Sequence, residues 1–489
     1  MAALTAVILS TFDKHLTESL HVSSVGIPPP KNPHSGHLAR PGLETRRHVT
    51  TGPDSTDPLP AHRPAPPAVR GARPSVAVVG SGVAGLTAAH LLSRTHDVVL
   101  FEAEDRWGGH AHTHHLVGAS GVRHAVDSGF IVHNDRTYPA LRRLFAELEV
   151  AVRPTEMSMS VRCRGCGLEY AGGRGAGGIL AQGRRAVDPS FVRMLVQVKR
   201  FHRVAGAFLR SGDDRTTYGE FLAGNGFDAY FIAHYAVPVV SCVWSTGRAL
   251  SLEYPAHYLF RFLEHHGMLS VGNSPQWFTV QGGSAVYVQR IVERLPDVRS
   301  GCPVVHVNRT SEGVQIHDAT GRRTTVDRVV IATHPDQALD LLADPTQLEI
   351  DTLKAFVYSR NSAVLHTDTS ILPNAPRARA SWNYSMSECW VADAPTQVTY
   401  WSNRLQGITE SDPYLVTLND GDRIASEAVL ARMEYTHPVY TREVIAAQAR
   451  LPQLATDRTV FAGAYHGFGF HEDGCASGVA AAAHFGVHW

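Results

Sequence analysis

Long apolar runs are missing from this sequence: nowhere do about 18 or more apolar residues follow one another, so no membrane-spanning helix is expected. An excess of charge of one sign is missing too. The 45 basic and 45 acidic residues cancel to a formal net charge of zero, which leaves no overall field to draw the chain to nucleic acid or to an anionic membrane. A small-molecule ligand, neutral or apolar, is the better expectation. Cysteine is scarce, with Cys163, Cys166, Cys242, Cys302, Cys389 and Cys475 spread through 489 residues, which excludes a disulfide framework and favours a reducing compartment. A secretory signal is not read either, because the apolar Ala2 to Ser10 is short and has no basic stretch before it. Arg46-Arg47 has no apolar segment after it, so the cytoplasm is the default.

What is present is enough apolar residue, 44% of the chain, to bury a large core. The proline- and histidine-rich stretch up to Pro74 has little periodic hydrophobicity and is expected to be a disordered leader, residues 1–74. Order should begin at Ser75. Val76 to Val79 read as a parallel strand buried on both faces, followed by a helix through Leu92 and a second strand, Val98 to Phe101. A weaker strand signal covers Arg123 to Val132, and Tyr138 to Leu148 carries apolar residues at helical spacing. Phe191 to Leu209 reads as a helix with a packed core stripe, Pro303 to Ala332 as a hairpin leading into a buried strand, and Val460 to Phe485 as a strand, glycine turn and small-residue helix. Nucleotide-binding signals therefore recur at the start, middle and end. The expected division is a nucleotide domain of 75–154, 277–345 and 455–489, interrupted by a substrate domain of 155–276 and 346–454.

Gly80, Gly82 and Gly85 form GxGxxG directly after the first strand. The first glycine permits the turn, the second lets a pyrophosphate approach the backbone, and the third lets helix pack on strand, while the amides of Val83 and Ala84 open the helix toward the phosphates. Glu102 ends the second strand 20 residues beyond Gly82, where a carboxylate can accept both hydroxyls of an adenosine ribose. Arg106-Trp107-Gly108-Gly109 follows at once. Its paired glycines and guanidinium suit a second clamp on the diphosphate, for which a purely nicotinamide domain has no use. FAD is the expected cofactor.

Taken together, GSGVAGL, Glu102 and RWGGH resemble the flavin-containing amine oxidase superfamily. The resemblance implies an α/β fold of amine oxidase/glutathione-reductase type, with a discontinuous Rossmann-like FAD-binding domain and an inserted α+β substrate domain. Asp127-Ser128-Gly129 matches the family's D-x-G, and Gln281 to Ser284 its later diglycine. Val304 to Val307 resembles the strand whose backbone reads adenine, which places Val305 among the cofactor contacts. The closing FAGAYHGFGFHEDGCASG looks like the flavin motif, implying flavin contacts from Glu472, Asp473 and Gly474. Within the superfamily, GFIVHNDRTYP, HTDTSILP, SWNY and YHGFGFHEDG resemble predicted bacterial NAD/FAD-binding oxidoreductases and the flavin domain fused to plant cyclopropane fatty acid synthases. That branch implies oxidation or desaturation of an acyl lipid or specialised metabolite, with peripheral membrane contact and a lipid-modifying methyltransferase partner as further implications. Many amine oxidases carry a lysine near flavin N5, yet the corresponding strand, Ser359 to Leu365, has none, which demotes simple amine oxidation. A flavin amine oxidase and a non-catalytic flavin-binding accessory protein stand as the alternatives.

His466 and His471 flank GFGF and are the first candidates for a base or a flavin contact; His110, after the diglycine, is a candidate cofactor contact. Asn134 and Tyr138, with Arg136, follow the D-x-G strand and are candidates for orienting substrate, while Trp382, Asn383 and Tyr384 would wall an apolar cavity or pack the core. No linkage motif for covalent flavin is present, so non-covalent FAD is expected. No metal site is expected. The histidines at 110, 112, 114 and 115 match no ligand pattern beyond mere proximity, and Cys163-x-x-Cys166 has no second Cys or His pair at zinc-finger spacing. Two ordinary residues in a glycine-rich hairpin are the favoured reading of that CxxC, with a redox pair or half a zinc site as alternatives.

Overall fold

The computed structural model describes residues 62–63 and 73–489, apart from 271–273, 391–395 and 421. The leader expected over 1–74 thus lies outside the described residues except at 62–63 and 73–74. His62–Arg63 are not free coil but a two-residue strand antiparallel to Asp297–Arg299, whose outer edge would otherwise carry unpaired backbone groups.

One sheet organises the nucleotide-binding half. Its strand order is His62–Arg63, Asp297–Arg299, Asp97–Phe101, Ser75–Val79, Arg328–Ile331 and Thr459–Phe461, parallel throughout except at the first. The apolar run of Ser75–Val79 is buried on both faces: Val76 and Val78 pack with Leu86 and Leu91 of the helix that follows, and Ala77 and Val79 share a core with Val307, Val314, Ile316 and Val326 of the three-stranded sheet Val304–Arg309, Val314–Asp318 and Arg323–Val326. All ten residues of the helix Val83–Leu92 are buried, and the last helix, His471–His484, lies against it. Gly474 and Gly478 make that approach feasible: an added Cβ would fall 2.6 Å from Val83 Cγ1 and 2.3 Å from Ala84 O. Chain leaves Ser75–Val79 toward Asp97–Phe101 on one side, and Arg328–Ile331 flanks it on the other. This is the switch point at whose carboxyl end ligands bind in open parallel sheets.

The second half is a seven-stranded, largely antiparallel sheet running Val429–Val439, Val357–His366, Leu415–Leu418, Gln397–Trp401, Trp382–Met386, Met159–Cys163 and Glu169–Gly172. Helices from Pro189–Ser211 to Ala256–His265 pack in the same core, with Phe191, Met194, Phe201 and Ala205 on the buried stripe of the first. Asp188 caps that helix through Ser190 N and Phe191 N, and Gly212 ends it at φ +72°. The strand expected over Arg123 to Val132 is instead two. Arg123–Asp127 pairs with Thr113–Val117, and Val132–Asn134 pairs with Trp277–Val280 in another sheet. The break falls at Gly129, whose Cβ position lies 2.1 Å from His110 O, so the chain must turn where it crosses beneath that residue.

Candidate active site

Gly80 sits at φ +100° with its Cβ position 2.8 Å from Ala332 O, and a Cβ on Gly85 would lie 1.9 Å from Gly80 O. Both are required by the protein's own packing. Gly82 differs, because nothing lies within 4 Å of its Cβ position. The helix it opens has no side-chain cap and no acid in its first turn, so no side chain of the protein neutralises its positive end. Gly109, at φ +56°, closes the other side, its Cβ position 3.2 Å from Gly82 Cα. Arg106 is engaged within the clamp itself. Its Nη1 donates to Gly109 O at 2.7 Å and its Nε pairs with Glu104 at 3.0 Å, which shapes the clamp. Glu102 Oε2 accepts from Ser81 N at 2.9 Å and from its hydroxyl, and Oε1 accepts from Glu104 N at 3.0 Å. A carboxylate has roughly four acceptor positions, so capacity remains for a ribose hydroxyl.

Several expected cofactor contacts turn out to hold the protein to itself. Asp127 is buried and accepts from Thr113 Oγ1 at 2.6 Å, Ser284 N at 2.9 Å and Gln406 Nε2 at 2.9 Å; it ties the first hairpin to the Gly282-Gly283-Ser284 turn. Burial pushes its carboxyl up to about 6 against these hydrogen bonds. Glu472 accepts from Ala140 N and Leu141 N, both at 2.9 Å, and so caps the helix Pro139–Glu147 from a different helix. Its pKa is raised by burial. Asp473 accepts from Phe470 N at 2.9 Å and holds the GFGF loop, its own carboxyl pushed up to about 6 by burial. Val305 stands at a bulge of the strand Val304–Arg309, outside the register with Val314–Asp318.

The catalytic candidates are separated in the same way. His471 stacks on Phe130, ring centroids 3.8 Å apart, and meets Tyr287 Oη at 3.0 Å. Asn134 Oδ1 accepts from Arg136 N and Thr137 N at 2.9 and 2.8 Å, so its amide oxygen builds a turn. Tyr138 is a core residue whose phenol burial keeps neutral, edge-on to His133 and His266. Asn383 is likewise spent on Ala380 and Thr399, and Trp382 packs edge-on to Tyr400. His466 retains a buried Nε2 with no partner, and burial lowers its pKa to about 4.

His110 leads to residues that the motifs did not disclose. Its ring lies 5.2 Å from Tyr435, 5.8 Å from His437 and 6.3 Å from His334, and His334 stacks on Tyr358 at 4.2 Å. Two of the five follow the nucleotide-binding turns, and three come from the paired strands Val357–His366 and Val429–Val439. Burial holds all three imidazoles below their ordinary value, His437 at about 4, so they are neutral near pH 7. Asn419 Nδ2 donates to Asn361 Oδ1 at 2.8 Å, which orients Asn361 Nδ2 to donate to His437 Nδ1 at 3.0 Å. The His437 proton is thereby placed on Nε2. Tyr435 Oη contacts His112 Nδ1 and Ser128 Oγ at 3.0 and 2.7 Å. Lys199 and Lys354, the lysines among the described residues, are exposed and belong to neither strand.

A glycine clamp with an open helix end, leading into a wall of neutral imidazoles and phenols, suits a dinucleotide whose reactive ring meets substrate at the domain junction. The family model of flavin containing amine oxidoreductases matches residues 83–484. The chain belongs to the flavin-containing amine oxidoreductase family. Members of this family are flavin oxidoreductases, and the uncapped helix at Gly82, the Gly109 contact and Glu102 fit the nucleotide part of a flavin cofactor. The chain is similar to the flavin-dependent L-tryptophan oxidase RebO of Lentzea aerocolonigenes, 25% identical over an alignment of 315 positions that covers 54% of this chain and 59% of that protein. It thus spans less than two thirds of that relative's length. Among solved structures it shares its fold with cyclohexylamine oxidase from Brevibacterium oxydans IH-35A at a TM-score of 0.59 and 16% identity, covering 85% of this chain and 99% of the other. A CLA-producing fatty acid isomerase from P. acnes is equally similar, at a TM-score of 0.60, 16% identity and the same coverage. The family fold is therefore shared by amine-oxidising and acyl-chain enzymes. No helix among the described residues is long and apolar enough to cross a membrane.

Proposed function

We propose that this family member holds FAD non-covalently and dehydrogenates or desaturates an apolar or amphiphilic small molecule, not a simple amine. The observation that carries this reading is the composition of the His110 wall. Its polar contacts run to Thr436, His112, Ser128 and Asn361, none of them to a carboxylate that would hold an ammonium group. No lysine lies on either of its strands.

Bound FAD would supply a hydride acceptor at its isoalloxazine ring. Gly82, Val83, Ala84, Glu102, Gly108 and Gly109 would hold its nucleotide half. The neutral rings of His110, His334 and His437 orient substrate without adding charge, and His437 presents Nε2–H as a donor. Trp244, Tyr258, Phe262, Phe468 and Phe470 form an aromatic cluster in the core; Trp244 Nε1 donates to Phe468 O at 3.1 Å and Tyr258 Oη to Gly467 O at 2.7 Å. Apolar, aromatic surroundings suit an acyl chain, and the fatty acid isomerase of the same fold supports that choice.

Anaerobic titration of the purified protein tests the reading. Unsaturated acyl lipids or fatty acids are expected to bleach the flavin absorbance, and acid precipitation is expected to leave FAD in the supernatant. Rapid hydrogen peroxide release from simple amines in air, with no bleaching by any acyl compound, would overturn it.

A further inference from the structure

Cys163, Cys166, His234 and Cys389 bring three Sγ atoms and a ring nitrogen within 4.8 Å of one another, on the far end of the substrate-domain sheet from the His110 wall. They come from three elements. Cys163 ends the strand Met159–Cys163, and Cys166 lies in the turn that follows. Cys389 comes just after Trp382–Met386, the strand that pairs Met386 with Cys163. His234 stands in the π-helical turn Ile232–Ala236 between two helices, an irregularity that commonly marks a site.

Two of the separations match the edges of a tetrahedral cation site, and the rest lie within 4.8 Å. Ligand bonds of about 2.3 Å to sulfur and about 2.0 to 2.1 Å to nitrogen require edges of roughly 3.8 Å between two sulfurs and roughly 3.6 Å between sulfur and nitrogen. Cys163 Sγ is 3.7 Å from Cys389 Sγ, and Cys166 Sγ is 3.5 Å from His234 Nε2. A disulfide would need about 2.05 Å. The surroundings orient the ligands as well. His234 Nδ1 donates to Tyr230 O at 2.9 Å, which leaves the Nε2 lone pair aimed at the sulfurs. Arg185 Nη2 donates to Cys166 O at 2.6 Å and Arg248 Nη1 to Cys389 O at 3.4 Å, placing two guanidinium groups beside the cluster. Gly165 lets the two loops touch, since its Cβ position is 3.0 Å from Glu388 Cα.

We infer that Cys163, Cys166, His234 and Cys389 form a structural zinc site that staples the Met159–Gly172 hairpin, the Cys389 loop and the π-turn together. Soft thiolates in a tetrahedral set select zinc, and four protein ligands leave no position for water or substrate. The site is independent of the flavin chemistry proposed above.

Elemental analysis of the full chain, purified under reducing conditions without a polyhistidine tag, is expected to give about one zinc per chain. Growth in cobalt should yield the intense red-region ligand-field bands and near-ultraviolet thiolate charge transfer of a tetrahedral three-sulfur, one-nitrogen site. Cys166→Ser and Cys389→Ser should lose the metal and the bands, whereas Cys302→Ser should keep both. Because a ligand variant could fail to fold, the wild-type cobalt spectrum carries the test by itself. Zinc below about a tenth of an equivalent with no cobalt bands, stoichiometric iron in place of zinc, or a mass deficit locating a disulfide among the three cysteines would each overturn the assignment.

Discussion

His437 owes its protonation state to one neighbour. Asn361 is buried and committed to it on one side and to Asn419 on the other, so the imidazole has a single tautomer. Asn361→Leu leaves Nδ1 without its donor and is expected to cost about 1 to 3 kcal/mol of stability, read from denaturant unfolding. Asn361→Asp acts differently, because a carboxylate beside the ring favours imidazolium and raises its pKa by about one to three units. The acid limb of the rate profile should move up accordingly, and an unchanged limb would remove His437 from the reacting site. None of His334, Tyr358, Tyr435 or His437 could be read from a motif. They are scattered through a hundred residues of sequence, and the pairing of Val357–His366 with Val429–Val439 collects Tyr358, Tyr435 and His437 beside His110 and His334.

The glycine turn separates glycines needed for packing from one needed for a ligand. Gly82→Ala meets no protein atom and is expected to change the melting of the flavin-free protein little, within about 0.5 kcal/mol, while abolishing flavin retention. Gly85→Ala collides with Gly80 O and should lose both stability and flavin. Equal effects from the two substitutions would deny Gly82 its phosphate-facing role. Glu472 makes the converse point about a residue expected at the flavin. Glu472→Ala uncaps Pro139–Glu147 and should cost about 1 to 2 kcal/mol in thermal or denaturant unfolding with flavin content preserved. The acid-glycine signature at the last helix was legible, but the hydrogen bonds of Glu472 to Ala140 and Leu141 were not, because the packing of that helix against Pro139–Glu147 is written in no local pattern.

Across the whole molecule, buried histidine dominates the response to acid. His112, His133, His202, His266, His366, His437, His466 and His471 have pKa values lowered to about 3 or 4, chiefly by burial. Unfolded, each protonates near 6.5, so between about pH 6.5 and 4 the unfolded chain binds more protons and the folded state loses stability as pH falls. Asp127 and Asp473, raised to about 6, act in the opposite sense, since their folded forms take up the proton first. Eight groups outweigh two. The unfolding free energy is expected to fall by more than about 3 kcal/mol between pH 6 and 5, corresponding to a net uptake of more than two protons on unfolding. A flat stability curve over that interval would show that these rings are solvated in the folded protein.

Local features were enough to determine the nucleotide-binding core from sequence. A buried strand, a glycine turn and an acid about 20 residues on are contiguous, and the physics that demands them, turn geometry and backbone approach to phosphate, acts within one βαβ unit. The recurrence of such signals also disclosed that one sheet is built from distant stretches of chain. Tertiary structure alone decided which side chains face one another across the junction. It turned Asp127, Glu472 and Asn134 inward to satisfy buried amides, and it gathered His110, His334 and His437 into one neutral wall. It also brought Cys389 to within 3.7 Å of Cys163, 226 residues away in sequence. Convergence of that kind depends on strand pairing and helix packing over long separations, and no short spacing in the sequence encodes it.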